Sequence, residues 1–196
     1  MELVKDGSLQ DLLDERKDTG KKFTDKEVST LIRSMLSALA HMHEQDTIHR
    51  DLKPSNILLM DKNDLSSVRI IDFGLSEKYV LLEDYSNWQG TLMYMAPECV
   101  MANYPNNKIS KSVDVWSIGI IMYQLLSGGQ HPLSATQRES LKTYQALIKN
   151  AKDNALPEKC TFLSPLAKKF LERLLQIDRS LRYTAQDALG HPWVTR

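Results

Sequence analysis

Cysteine is scarce in this chain: Cys99 and Cys160 are the only two in 196 residues. They stand apart, without the paired spacing of a metal site or redox motif, which argues against a disulfide scaffold and for a reducing compartment. Long apolar runs are missing too. The longest, around Ile118 to Leu126, is interrupted by Gly119, Tyr123 and Gln124 and is too short to span a bilayer. Glu2, Lys5 and Asp6 break the start of the chain where a signal peptide would be apolar. There is no excess of one charge: 25 basic residues balance 25 acidic ones, so no global field draws the chain to nucleic acid or an anionic membrane. No internal repeat or low-complexity tract occurs. What remains is a chain 42% hydrophobic and 26% charged, expected to be a soluble, cytoplasmic, single domain with a real core.

Helical periodicity dominates what is present. From Thr24 to Gln45 the residues Val28, Leu31, Ile32, Met35, Leu39 and Met42 recur at helical spacing, and Thr24 with Glu27 forms a capping box that fixes the start. A buried helix is expected from about Ser112 to Leu126, stopped by Gly128-Gly129. Ser164-Pro165 opens an amphipathic helix through Leu175, and Thr184 caps a short one ending at Gly190. Two short apolar runs, Ile57-Leu58-Leu59-Met60 and Val68-Arg69-Ile70-Ile71, read as strands of a small hairpin. The expected fold is mainly α, of the α+β kind.

The chemistry concentrates in His49-Arg50-Asp51-Leu52-Lys53-Pro54-Ser55-Asn56, which puts a base, a cation and a metal ligand into one tight loop. Asp72-Phe73-Gly74 and then Ala96-Pro97-Glu98 follow it. Any one of these alone would read as a surface charge or a turn former. In this order they resemble the catalytic core of the eukaryotic protein kinases. The resemblance covers essentially the entire chain, but only the large C-terminal lobe of that fold. Lys53 resembles the serine/threonine branch, and the second half, ending in Gly190-His191-Pro192-Trp193, is similar in style to the calcium/calmodulin-dependent group.

That resemblance implies a transferase moving the γ-phosphoryl group of ATP to Ser/Thr hydroxyls of protein substrates. Asp51 would take or orient the acceptor proton, Lys53 would sit beside the transferring group, and Thr91 would line the site near the acceptor hydroxyl. Asn56 and Asp72 would hold Mg2+, oxygen ligands suiting that hard cation. Glu98 would pair with Arg182 in the interior, Asp114 would brace the catalytic loop, and His49 and Phe73 would stack as structural parts of the core. Met1-Glu2-Leu3-Val4 resembles the hinge between the two kinase lobes, where backbone near Glu2 and Val4 meets adenine. Leu58 would form the floor, with Ser8 and Ser55 on the same nucleotide side. The remaining histidines, His41, His43, His131 and His191, show no ligand spacing.

The 196 residues contain no glycine-rich phosphate loop, no Val-Ala-Ile-Lys-like strand and no helix bearing the partner glutamate. The expectation is therefore weak Mg-ATP binding and negligible transfer by this polypeptide alone, with Met1 an internal methionine of a longer product. A catalytically inactive kinase-derived binding module is the alternative, and a partner is expected over the hinge-side surface. Four places that often carry acids in arginine-directed kinases read Ser8, Ser55, Met93 and Gln124, all neutral, so strong arginine-directed specificity is not expected, although Asp11 and Glu15 could contribute. Leu92 and Met95 suggest an apolar pocket for the residue after the acceptor. Leu75 to Met95 would be the activation loop, with Ser86 and Tyr85 as candidate phosphosites beside Asn87.

Overall fold

Three of the four helices anticipated from the sequence start where a side chain satisfies a free N–H group of the first turn, from Thr24, Ser164 and Thr184; the one opening at Ser112 has no side-chain cap. In the computed structural model, which describes residues 7–78, 90–101, 110–136, 138–158 and 160–195, α1 spans Leu9–Asp18 and α2 spans Asp25–Glu44. Thr24 Oγ1 accepts from Glu27 N, and the Glu27 carboxylate accepts in return from Thr24 N at 2.8 Å. One face of α2, including Leu31, Ile32, Met35, Leu36 and Leu39, is fully buried. That face packs against α4 (Ser112–Ser127) and α7 (Ala185–Leu189).

Helix α4 is buried on every side from Val113 to Leu126, the mark of a core helix rather than a surface one. It ends at Gly128 in the left-handed conformation (φ 77°). Gly119 allows α6 (Pro165–Leu174) to come close, since a Cβ there would lie 2.7 Å from Leu175 Cδ2. A short helix α3 (Pro97–Val100), α5 (Leu141–Asn150) and α8 (Pro192–Thr195) complete the helical set described. Among the described residues no helix is long and apolar enough to cross a membrane.

Among the described residues the β structure consists of two small antiparallel pairs. Strand β2 (Ile57–Leu59) pairs with β3 (Val68–Ile70) through Ile57–Ile70, Leu58–Arg69 and Leu59–Val68, as the hairpin reading required. Strand β1 (Thr47–Ile48) pairs with β4 (Glu77–Lys78) across 30 residues of chain, which nothing in the sequence foretold. The fold class is the expected one, mainly helical with a small hairpin. Helices α1, α3, α5 and α8 were not anticipated.

Glu98 of α3 and Arg182 form a bidentate pair at 2.7 and 3.0 Å, with both side chains fully buried. Arg182 also donates to Ser112 O and twice to Gln176 O, so all five of its N–H donors have acceptors. Such a pair tolerates loss of one partner poorly, because the remaining charge stays buried. Arg182→Leu or Glu98→Leu should each cost about 3–5 kcal/mol in denaturant unfolding, and the double variant should cost less than their sum.

A second buried polar group sets a pH dependence. His131 lies between α4 and α5; its Nε2 is 2.8 Å from Met93 O, and its Nδ1 accepts from Leu133 N at 3.1 Å. Burial pushes its imidazole down from 6.5 to about 4. Between those values the unfolded chain binds a proton that the folded chain does not, so stability falls as pH drops through that window. His131→Gln should flatten the decline between pH 6.5 and 4, followed by thermal melting, by up to roughly 3 kcal/mol.

Candidate active site

The loop after β1 is shaped by one carboxylate from another part of the chain. Asp114, in the first turn of α4, accepts from His49 N and Arg50 N at 2.9 Å each, and its Oδ2 is 2.9 Å from His43 Nε2. Arg50 adopts the left-handed region (φ 74°), unfavourable for a residue with a Cβ. The two charge-assisted bonds to Asp114 on consecutive amides hold that conformation in place. A short 3-10 turn, Pro54–Asn56, then follows, opened by the fixed φ of proline at its first position.

This turn gathers the sequence-singled residues. Lys53 Nζ lies 2.6 Å from Asp51 Oδ2 and 2.9 Å from Thr91 Oγ1. Thr91 donates from both N and Oγ1 to Asp51 Oδ1, each at 2.9 Å. Asn56 Nδ2 donates to Asp51 O at 2.8 Å and approaches Oδ2 at 3.3 Å. Asp51 and Asn56 are buried, Lys53 is half-buried and Ser55 is exposed. Asp51, Lys53, Thr91 and Asn56 thus form one connected cluster.

His49 ties this cluster to the segment bearing Asp72. Its Nδ1 accepts from Asp51 N at 3.3 Å, so Nε2 carries the proton and donates to Ile71 O at 2.9 Å. Ile71 N in turn donates to Asn56 O at 2.9 Å. Asp72 follows in the left-handed region (φ 64°), its carboxylate exposed and accepting from Gly74 N at 3.4 Å. The His49 and Phe73 rings do meet, with centroids 5.3 Å apart and tilted by 60°. Only His49 belongs to the interior, however; Phe73 is 51% exposed.

On the expected nucleotide side, Ser8 bridges Leu58 in antiparallel register, and Leu59 N donates to Gly7 O at 3.0 Å. Leu58 is half-buried. The Ser8 hydroxyl already caps α1, exchanging hydrogen bonds with Asp11. Glu2 and Val4 lie outside the described residues, as do Tyr85, Ser86 and Asn87.

A groove of 490 Å³ runs from Lys53, Ser55 and Thr91 between α1 and the segment before α5. Gln10, Asp14, Thr136 and Glu139 form its rim, and none of these four came from the sequence. Asp14 could have, since with Gln10 it sits one helical turn apart on the same face of α1; Glu139 left no such signal. Two of the four neutral positions are largely enclosed, Met93 at the inner wall of the groove. Met93 is buried, and Gln124 is held inside by the Tyr94 hydroxyl at 3.0 Å. Asp11 serves the α1 cap, where the Ser8 N–H holds its carboxyl below the usual range. Glu15 lies 3.3 Å from Lys62. His43, the buried neighbour of Asp114, was also missed; 71 residues separate the two.

Comparison with known proteins adds an independent line. Residues 1–194 match the protein kinase domain. Calcium/calmodulin-dependent protein kinase type 1 of Macrobrachium nipponense is 38% identical, over 100% of this chain and 53% of its own length. Death-associated protein kinase 2 of Homo sapiens is 35% identical, over 100% of the chain and 50% of that protein. CDPK-related kinase 5 of Arabidopsis thaliana is 35% identical, over 99% of the chain and 30% of its own length. The chain spans about half the length of the first of these curated relatives. The extent of the family match, over a helical fold carrying the ordered loop, Asp-Phe-Gly and Ala-Pro-Glu segments, means that this chain belongs to the protein kinase domain family.

Proposed function

We propose that this chain supplies the catalytic-loop side of a serine/threonine protein kinase, which transfers the γ-phosphoryl group of ATP to Ser/Thr hydroxyls of protein substrates. The observation that carries this reading is the cluster in which Lys53 Nζ touches both Asp51 and Thr91 while Thr91 Oγ1 donates to Asp51. An alcohol oxygen between a carboxylate and an ammonium is the arrangement an acceptor hydroxyl needs. Asp51 accepts or orients that hydroxyl's proton as its oxygen bonds the γ-phosphorus and ADP leaves. Lys53 neutralises charge developing on the transferred group. Thr91 keeps Asp51 oriented from the acceptor side.

Mg2+ is the implied ion, and the donor chemistry fits it. Asn56 directs its amide nitrogen to Asp51 O, which leaves its carbonyl oxygen as the group for a hard cation, and Asp72 offers an exposed carboxylate. Among the described residues no three His, Cys, Asp or Glu side chains gather around one point, so phosphate and water would complete the coordination. Bound Mg2+ would neutralise the phosphate oxygens. In this reading the chain runs from a hinge at Glu2 and Val4 through the C-terminal lobe. Ser8 and Leu58 form the nucleotide-side wall, with Ser55 at the groove. A cytoplasmic setting suits the two free cysteines.

The test is γ-phosphoryl transfer from labelled ATP to serine peptides by the full-length protein, with and without Asp51→Asn. That variant should retain Mg-ATP binding in a thermal-shift assay while losing transfer by at least about a hundredfold. Binding without transfer in the unsubstituted protein would favour a docking module instead.

Substrate choice follows from the groove rim. Asp14 and Glu139 are hydrogen-bonded to the neutral donors Gln10 and Thr136, so their charge is offered to whatever enters. On a positional peptide array the protein should favour a basic residue at one position, by several-fold. The combined Asp14→Lys and Glu139→Lys variant should erase that preference, each exposed pair being worth about 0.2–1 kcal/mol.

A further inference from the structure

The segment from Thr91 to Met95 carries Thr91 onto Asp51, yet it makes few bonds of its own. Within its 3-10 turn, Tyr94 N donates to Thr91 O at 2.9 Å and Met95 N to Leu92 O at 3.1 Å. The carbonyls of Met93, Tyr94 and Met95 take their donors from elsewhere. Ser117 of α4 donates to Tyr94 O at 2.8 Å. The other two are served by the region after α4: His131 Nε2 is 2.8 Å from Met93 O, and Tyr144 OH is 3.0 Å from Met95 O and 3.4 Å from Met93 O.

The direction of these bonds is fixed. Leu133 N donates to His131 Nδ1, so the ring proton sits on Nε2 and faces the Met93 carbonyl. Tyr144 is fully buried and His131 nearly so, and their rings meet edge-on with centroids 6.1 Å apart. Burial raises the Tyr144 phenol above its ordinary range and keeps the imidazole neutral, so both remain donors near neutral pH. Two aromatic groups with polar tips converging on alternate carbonyls of one turn are more than core filler. An apolar pair of similar size would pack as well and leave those carbonyls unsatisfied.

We infer that His131 and Tyr144 are positioning residues for phosphoryl transfer, clasping the Met93 and Met95 carbonyls so that Thr91 stays on Asp51 and Leu92 stays on the groove wall. This rests on the proposed kinase reading and adds to it. The clasp acts on the acceptor peptide, not on the nucleotide: Leu92 and Met93 line the groove that starts at Lys53 and Thr91. It also ties that wall to α5, whose buried residues are Tyr144 and Ile148.

The experiment compares Tyr144→Phe, His131→Phe and His131→Gln in the full-length protein, using the best-phosphorylated peptide of the array. Tyr144→Phe and His131→Phe should each raise the peptide KM about tenfold with the KM for ATP unchanged, as expected for a buried carbonyl losing its donor. His131→Gln retains an N–H donor and should recover most of that loss. Hydrogen exchange gives a readout independent of activity, since the amides of Tyr94 and Met95 should exchange faster in both Phe variants. Unchanged peptide KM, or an equal rise in both KM values, would overturn the inference. If the unsubstituted protein phosphorylates no peptide, the kinase reading fails and exchange alone decides: faster exchange at Tyr94 and Met95 upholds the clasp, and unchanged exchange rejects it.

Discussion

The loop that carries Asp51 takes its shape from a carboxylate it does not contain. A loop with a left-handed arginine beside its central aspartate has no local reason to hold that shape, and such a conformation costs on the order of 1–3 kcal/mol. Asp114 supplies the reason, accepting from the consecutive amides of His49 and Arg50 while lying 2.9 Å from His43. Asp114 itself belongs to a helix buried on every side. The same helix reaches the segment from Thr91 to Met95 further along its length. Ser117 bonds Tyr94 O, and Gln124 accepts from the Tyr94 hydroxyl. Helix α4 therefore fixes both sides of the cluster, Asp51 through Asp114 and Thr91 through Tyr94, so their separation depends on one rigid element.

What keeps α4 in place is packing on one side and charge on the other. Gly119 lets Leu174 and Leu175 come within contact distance of the helix backbone. At its start, Arg182 donates to Ser112 O while pairing with Glu98, and its guanidinium lies 5.1 Å from the Trp116 ring centre. The ion pair thus fastens α3, the first turn of α4 and the Gln176 carbonyl to one group. Its value lies less in net stability, which buried pairs contribute weakly, than in allowing one arrangement of these three pieces.

Much of this was legible in the sequence where the signal is local. Helices α2, α4, α6 and α7 announce themselves through caps, periodicity and stop residues a few positions apart. The catalytic loop was readable for the same reason, since Asp51, Lys53 and Asn56 lie within six residues. Asp114 and the Glu98–Arg182 pair were reached by resemblance alone, as no periodic signal connects residues 65 or 84 positions apart. Helix α1 has only Leu9, Leu12 and Leu13 buried, too narrow a stripe to stand out, although its Ser8–Asp11 cap was there to see. The β1–β4 pair has two residues per strand, which is no period at all. Phe73 was placed in the core by resemblance alone; its ring does meet His49, yet it is half exposed.

The two sides of the cluster are not held with equal stiffness. The Asp51 side hangs on charge-assisted bonds to a carboxylate in the centre of the core. The Thr91 side depends on neutral bonds, to Ser117 and Gln124 of α4 and to His131 and Tyr144 around α5, a helix that buries only Tyr144 and Ile148 and exposes half of Leu141. Neutral bonds are weaker, and an amphipathic surface helix can shift where a wholly buried one cannot. Phosphoryl transfer places the same demand on its base and cation for every substrate, whereas the wall that meets the acceptor peptide must suit a particular partner. In the kinase reading proposed above, a stiff chemical half would face a more adjustable recognition half, the first tied to α4 and the second shared between α4 and the region around α5.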